Sequence, residues 1–228
     1  MRPQRIVIAT PHSRHDAMEN TVREHLGIDV IRVRTLPELD PTVLSDLVPR
    51  FIFFPHWSWK IPKNIYERFE CVIFHMTDLP FGRGGSPLQN LIVRGINETQ
   101  LTALRCVEDL DAGPIYMKRP LSLFGTAEEI LLRAAKLTGD MIESIVLDQP
   151  ASKVQVGEPT IFRRRGPQDG DISKLSELEK VFDYIRMLDA NGYPPAFVET
   201  EHFMLEFSRA TLKTDFIVAD VKISRKKS

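Results

Sequence analysis

The chain has 228 residues, 43% of them apolar and 27% charged, with a formal net charge of −1. These values describe an ordinary globular protein with enough chain for one sizeable α/β domain and a short appendage. A near-neutral balance gives no electrostatic reason to expect nucleic-acid binding, and no apolar run approaches the length that spans a bilayer.

Arg5–Thr10, R-I-V-I-A-T, reads as a buried first strand. The chain starts almost directly on it, without a signal-peptide core, so the expected compartment is the cytoplasm. Ser13 is expected to cap a helix that Gly27 stops. A second strand follows at 29–33, and a short helix falls within 35–47. Residues 50–55, R-F-I-F-F-P, form an unbroken apolar strand of the kind buried on both faces. Ile61-Pro62 opens a short helix to about Phe69, and 71–75, C-V-I-F-H, is the fourth strand. Cys71, and Cys106 further on, sit in apolar runs and read as core residues, with no metal or disulfide spacing.

Ser86-Pro87 starts a helix to Arg94, with proline at its first position. Strands at 100–107 and 114–119 flank a tight loop, D-L-D-A-G. The run T-A-E-E at 126–129 is a capping box that opens a long helix to Leu147. After Pro150 the texture becomes polar and turn-rich through Asp171. An amphipathic helix at 178–188 and strands at 197–207 and 216–223 complete the chain.

Alternating strands and helices predict an α/β fold with a Rossmann-like, mainly parallel twisted sheet over 1–150. A small mixed α+β subdomain is expected over 151–228. Ligands bind such sheets beyond the carboxyl ends of the strands. His56, His75 and the loop after Thr10 all lie at such ends.

The densest chemistry is F-H-M-T-D-L-P-F-G-R-G-G-S-P-L-Q-N at 74–90, read with D-L-D-A-G-P-I at 109–115. A histidine ends a strand, a proline- and glycine-rich loop follows, and 36 positions later a second tight loop presents Asp111. The ordered set His75, Leu79-Pro80, Arg83-Gly84, Pro87, Asp111 and Gly113 resembles the signature of the folate-dependent N-formyltransferases. The likeness covers roughly residues 1–150 and is strong over 74–115. It implies N10-formyltetrahydrofolate as cofactor, with His75 and Asp111 as the catalytic pair in general acid/base and oxyanion roles.

The same resemblance implies a folate pocket lined by His56, Trp57, Ser58, Trp59, Met76, Leu79, Pro80, Phe81, Gly82, Arg83, Gly84, Val107 and Asp109. The aromatic rings among them suit a flat pterin. One position departs from the pattern. Ile73 stands where the family carries an asparagine two residues before the histidine, and on a strand 73 and 75 face the same way. Thr77, Gln89, Asn90 or a backbone N–H are the candidate replacements.

The wording of the C-terminal part, R-R-R-G-P-Q-D-G-D-I and N-G-Y-P-P-A-F, resembles the nucleotide-sugar branch more than the longer β-barrel domain of the tRNA enzymes. The expected acceptor is therefore the amino group of a nucleotide-linked deoxyamino sugar, serving cell-surface polysaccharide synthesis. Arg163, Arg164 and Arg165 would meet its diphosphate and Tyr193 and Phe197 its base, with Thr10 and Pro87 also lining the substrate side. Arg186 and Asp189 read as structural. The partner expectations are a small molecule, no nucleic acid, no membrane and a possible homodimer through the apolar C-terminal strands. The alternatives are a methionyl-tRNA or glycinamide ribonucleotide formyltransferase, or an inactive binding protein of the same fold. No metal is expected.

Overall fold

The computed structural model describes residues 5–226. Lys227 of the basic tail lies outside them. In chain order the elements are β1 (Arg5–Ala9), α1 (Asp16–Leu26), β2 (Asp29–Val33), α2 (Pro41–Leu47), β3 (Phe51–Phe54), α3 (Lys63–Tyr66), β4 (Cys71–His75), β5 (Arg83–Gly84), α4 (Pro87–Ile92), β6 (Glu98–Arg105), β7 (Ile115–Ser122), α5 (Ala127–Asp148), β8 (Ile161–Phe162), α6 (Leu178–Arg186), β9 (Ala196–Glu199), β10 (Phe203–Leu212) and β11 (Ile217–Arg225).

The chain forms two compact units that interleave in sequence. The first holds the chain up to Gly84 with Thr99–Leu121 and Leu132–Ile161; the second holds Gly85–Glu98, Ser122–Leu131 and the chain from Phe162 onward. This partition does not coincide with the division expected at 150, because α4 and the first turn of α5 group with the C-terminal part.

The first unit is built on a six-stranded sheet of order β2-β1-β3-β4-β6-β7. The four leftmost strands run parallel, and β6 is antiparallel to β4. The mainly parallel sheet is thus as expected. The apolar runs of β1 and β3 occupy its centre, where both faces are covered: Ile6, Val7, Ile8, Ile52 and Phe53 have no exposed surface. On one face Val7, Ala9, Ile52, Phe54 and Cys71 join Val33, Leu44, Ile65 and Cys106 in a single cluster, with Ile73 and Trp57 packed against it. Both cysteines are free thiols within it, and burial pushes Cys71 upward and Cys106 to about 11. Gly139 of α5 marks a close approach to α1, since a Cβ there would lie 2.9 Å from Met18 Cγ.

Local chemistry accounts for the element ends. Gly27 stops α1 in a left-handed conformation at φ 59°. Asp40 caps α2 by accepting from the N–H groups of Thr42 and Val43 at 2.6 and 3.2 Å. That helix occupies the second half of the 35–47 stretch, as Pro37 and Pro41 disfavour helical geometry in the residues before them. Ser13 opens a one-turn 3-10 segment and caps nothing; α1 begins behind His15. The capping box is realised: Thr126 N–H donates to Glu129 Oε2 at 2.7 Å and Glu129 N–H to Thr126 Oγ1 at 3.3 Å.

In the second unit a three-stranded antiparallel sheet, order β11-β10-β9, is packed by α6. The single strand expected at 197–207 is two strands, β9 and β10. A turn at 200–202 separates them, closed by Thr200 N–H to Phe203 O at 2.9 Å. Arg186 is structural in this unit: its guanidinium donates to Leu123 O at 2.6 Å and Gly125 O at 3.1 Å and pairs with Asp183.

Candidate functional site

β4 ends on His75, so the imidazole stands at the carboxyl edge of the parallel strands. The loop that follows turns back under it. Gly82 and Gly84 hold φ of 75° and 105°, conformations open to glycine and costly for other residues. This brings Gly82 O to 2.8 Å from His75 Nε2. Thr77 Oγ1 also donates to Gly82 O, at 3.4 Å, and Thr102 Oγ1 of β6 donates to Thr77 O at 2.7 Å. The loop is therefore pinned at both ends.

The second loop delivers Asp111. Its backbone is left-handed at φ 53°, which aspartate tolerates better than most residues. Gly113 is required for a different reason: a Cβ there would fall 1.8 Å from Arg105 O. Asp111 Oδ2 accepts the Gly84 N–H at 2.9 Å and lies 3.5 Å from His75 Nδ1. Both side chains are less than 10% exposed. Both ring nitrogens of His75 thus face acceptors. The ring is therefore fixed between a carboxylate and a backbone carbonyl.

Gln155 joins the two loops and was not legible in the sequence, where it sits in a featureless polar stretch. Its amide donates to Asp111 O at 2.8 Å and Gly113 O at 2.9 Å, while its Oε1 accepts from Arg83 Nε and Nη2 at 3.1 and 2.8 Å. A single amide therefore fixes the Asp111 turn against the glycine loop. Lys118 holds the far side of that loop, donating to Leu79 O and Asp78 Oδ1, both at 2.6 Å.

A second polar cluster lies beyond β1 and β3. His56 adopts φ 50° just after β3, and its ring lies 4.4 Å from that of His12. His15 is 3% exposed, and neither of its ring nitrogens meets a hydrogen-bonding partner from the described chain. Burial, reinforced by the neighbouring imidazoles and the charges of Arg14 and Arg32, holds His15 down at about 3, and burial does the same to His56. Thr10 Oγ1 and Trp57 Nε1 are likewise buried without a partner from the described chain. Trp57 meets Phe54 and Trp59 edge-on at 5.7 and 4.8 Å, while Trp59 and Ser58 reach solvent. Among the described residues no group of three or more His, Cys, Asp or Glu side chains is placed to hold a metal ion.

The other expected residues fall as follows. Leu79 is buried, Pro80, Phe81 and Met76 are half-buried, and Leu79-Pro80 is a cis peptide. Val107 is half-buried beside the Gly113 turn, and Asp109 is exposed, its carbonyl accepting Ala112 N–H at 3.3 Å. Ile73 shares the His75 face and spends its side chain on the core cluster.

In the second unit Pro87 is the first residue of α4, and Asn90 donates to Gly85 O, Ser86 O and Arg163 O. Gln89 donates to Met187 O at 3.5 Å. Both amides proposed as stand-ins for the missing asparagine are thus engaged with backbone. Arg163 pairs with Asp169 through both terminal nitrogens, and Arg165 donates to Asp169 O with its guanidinium 5.3 Å above the Tyr184 ring. Arg164 runs close against Gly85. Tyr193 is half-buried with its N–H on Ala190 O, and Phe197 is buried in β9.

With this geometry in hand the likeness to known proteins is informative. A methionyl-tRNA formyltransferase from Clostridium thermocellum shares 46% identity and superposes with a TM-score of 0.95, covering 98% of this chain and 100% of that one. The chain belongs to the formyltransferase family. The profile of the methionyl-tRNA formyltransferase C-terminal domain matches residues 167–224 of this family member. The methionyl-tRNA formyltransferase of Thermodesulfovibrio yellowstonii is 27% identical over 63% of the chain and 49% of its own length. The chain thus spans about half the length of the curated relatives it matches. HypX from Aquifex aeolicus, in a structure with tetrahydrofolic acid, shares the fold at 16% identity and a TM-score of 0.76, over 90% of this chain and 37% of that one.

These likenesses correct two expectations. The acceptor expectation, a nucleotide-linked amino sugar in polysaccharide synthesis, is overturned by the full-length likeness to a methionyl-tRNA formyltransferase. The expectation of no nucleic-acid partner falls with it. The acceptor expectation rests on the wording after residue 160, and the tRNA-enzyme profile matches most of that stretch. The near-zero net charge was a weak guide, because a whole-chain sum does not describe the potential of any one face. Among the described residues no helix is long and apolar enough to cross a membrane.

Proposed function

We propose that this chain transfers a formyl group from N10-formyltetrahydrofolate to the α-amino group of methionyl-tRNA. The observation that carries the reading is the His75–Asp111 convergence, 3.5 Å apart and nearly buried, in a chain 46% identical over its length to a protein named for that activity.

The residues present fit the folate. Thr10 Oγ1 and Trp57 Nε1 are buried donors that a polar heterocycle can satisfy, and glycines 82 and 84 let backbone approach a ligand closely. When bound, the folate supplies an activated one-carbon acyl group. Transfer would form a C–N bond between a neutral amine and the formyl carbon and break the bond to the folate nitrogen. One proton leaves the attacking nitrogen and one must reach the departing nitrogen. His75, held by Asp111 on its Nδ1 side, would exchange Gly82 O for the formyl oxygen at Nε2, donating to the developing oxyanion and exchanging these protons. Asp111 balances the imidazolium and is itself oriented by the Gly84 N–H. Gln155 and Arg83 act as positioning residues for the two loops.

The test is formylation of methionyl-tRNA by the purified chain with N10-formyltetrahydrofolate, read as formylmethionyl-tRNA on acid gels. Turnover is expected, and His75→Asn should lower kcat by about 10²–10⁴ with the fold retained. Absence of formylmethionyl-tRNA from folded wild-type protein would refute the acceptor. Wild-type rates in His75→Asn would refute the mechanism.

A further inference from the structure

We infer that Trp59 is a stacking platform for the unpaired 3′ end of the acceptor RNA, with Lys60 meeting the phosphates beside it. The inference rests on the acceptor proposed above and assigns it a surface of this chain. β3 ends at Phe54, and residues 56–60 lead from it towards α3. The stretch is anchored on both sides of Trp59: Trp57 packs against the core cluster that holds Phe54, and Ile61 is a member of that cluster. Trp59 itself stands out of the core, with 41% of its surface exposed. Its ring centroid lies 4.8 Å from that of Trp57 at an interplanar angle of 66°, so the neighbour braces it edge-on and leaves a broad face open to a stacked ring. Ser58 and Lys60 on either side are exposed, and Lys60 forms no ion pair with a described residue.

Position and chemistry select the occupant. β3 and β4 are neighbouring parallel strands, with Phe54 level with Ile73. Trp57 and Ile73 pack against one cluster, and Ile73 shares the face of His75. The tryptophan pair therefore stands on the His75 side of the sheet, at its carboxyl edge. A braced aromatic plane beside an exposed cation is the arrangement that holds single-stranded nucleic acid: bases stack on the ring whatever their identity, and the cation meets the backbone. The 3′ end of a tRNA is unpaired and carries the aminoacyl group that must reach His75, so the bases next to that group pass this surface. Folate fits the ring less well. Small-molecule pockets enclose most of their ligand, and the enclosed indole here is that of Trp57, whose Nε1 is buried. A half-open ring suits a polymer whose remainder stays in water.

The test is a fluorescence titration of Trp57→Phe, which leaves Trp59 as the remaining one of the chain's two tryptophans. Deacylated methionine tRNA should quench its emission, and the same tRNA lacking its three 3′-terminal nucleotides should not. Should Trp57→Phe misfold, kinetics decide. Trp59→Ala should raise KM for methionyl-tRNA about 5- to 100-fold, the loss falling on KM rather than kcat, with the Kd for tetrahydrofolate unchanged. Trp59→Phe should recover most of the loss. Lys60→Glu should also raise KM and weaken the salt dependence of tRNA binding. Equal quenching by intact and truncated tRNA overturns the inference, as does a wild-type KM in Trp59→Ala. A Trp59→Ala protein that loses tetrahydrofolate instead gives the ring to the cofactor and overturns it too. Quenching that needs the 3′ end, in a protein that makes no formylmethionyl-tRNA, upholds the platform and refutes the acceptor activity, so the two readings fail separately.

Discussion

Mild acid should destabilise the folded chain, and His15 supplies the reason. In the folded state its ring is buried against other imidazoles and two arginines and gains a proton only near pH 3. In the unfolded chain it titrates near its ordinary value of about 6.5. A group whose pKa is depressed on folding contributes fully above its unfolded value and loses that contribution as the pH falls below it. The loss is about 1.4 kcal/mol per pH unit, so His15 alone removes about 2 kcal/mol between pH 6.5 and 5. His56, held down to about 3 by the same burial, acts in the same direction. Such a loss is large against total stabilities of about 5–15 kcal/mol. The carboxylates held low, with Asp169 at about 2, lose their contribution only below about pH 4, so the window from 6.5 to 5 isolates the histidines. Urea unfolding followed by circular dichroism at half-unit steps should show the decline, and His15→Leu should remove about half of it. A stability that is level from pH 7 to 5, or a His15→Leu protein with the wild-type slope, would refute the reasoning.

Asp111→Asn keeps an acceptor for the Gly84 N–H and a side chain that tolerates φ 53°, so the melting temperature should hardly move while kcat falls by about 10²-fold or more. Stopped-assay kinetics beside a thermal melt separate the two effects, and an unchanged kcat would remove the carboxylate charge from the mechanism. Gly113→Ala would place its Cβ 1.8 Å from Arg105 O, which must move away, and a loss of about 3 kcal/mol or more is expected in chemical denaturation. Thr126→Ala breaks the capping box of α5 and should cost about 1 kcal/mol in the same assay. Ile73→Asn places an amide against the core cluster and should cost about 2 kcal/mol or more without raising kcat; a faster enzyme would show that position 73 does more than pack.

Much of this protein is written in local patterns. The F-I-F-F and C-V-I-F-H runs became the central strands β3 and β4 because an unbroken apolar strand is stable only with both faces covered. The T-A-E-E box and Gly27 set helix ends through hydrogen bonds that span four residues or fewer. The ordered set of His75, the glycine loop and Asp111 resembled the formyltransferase signature, and the likeness of the whole chain bears the family out. Other features depend on residues far apart along the chain. Gln155 reaches Asp111 across 44 positions, and the His15 cluster owes its low proton affinity to the ends of two different strands closing over it. The arginines at 163–165 read as open anion contacts until Asp169 folded back onto two of them. Short-range hydrogen bonding and periodicity are local properties, whereas desolvation and the pairing of charges are set by which distant segments arrive alongside.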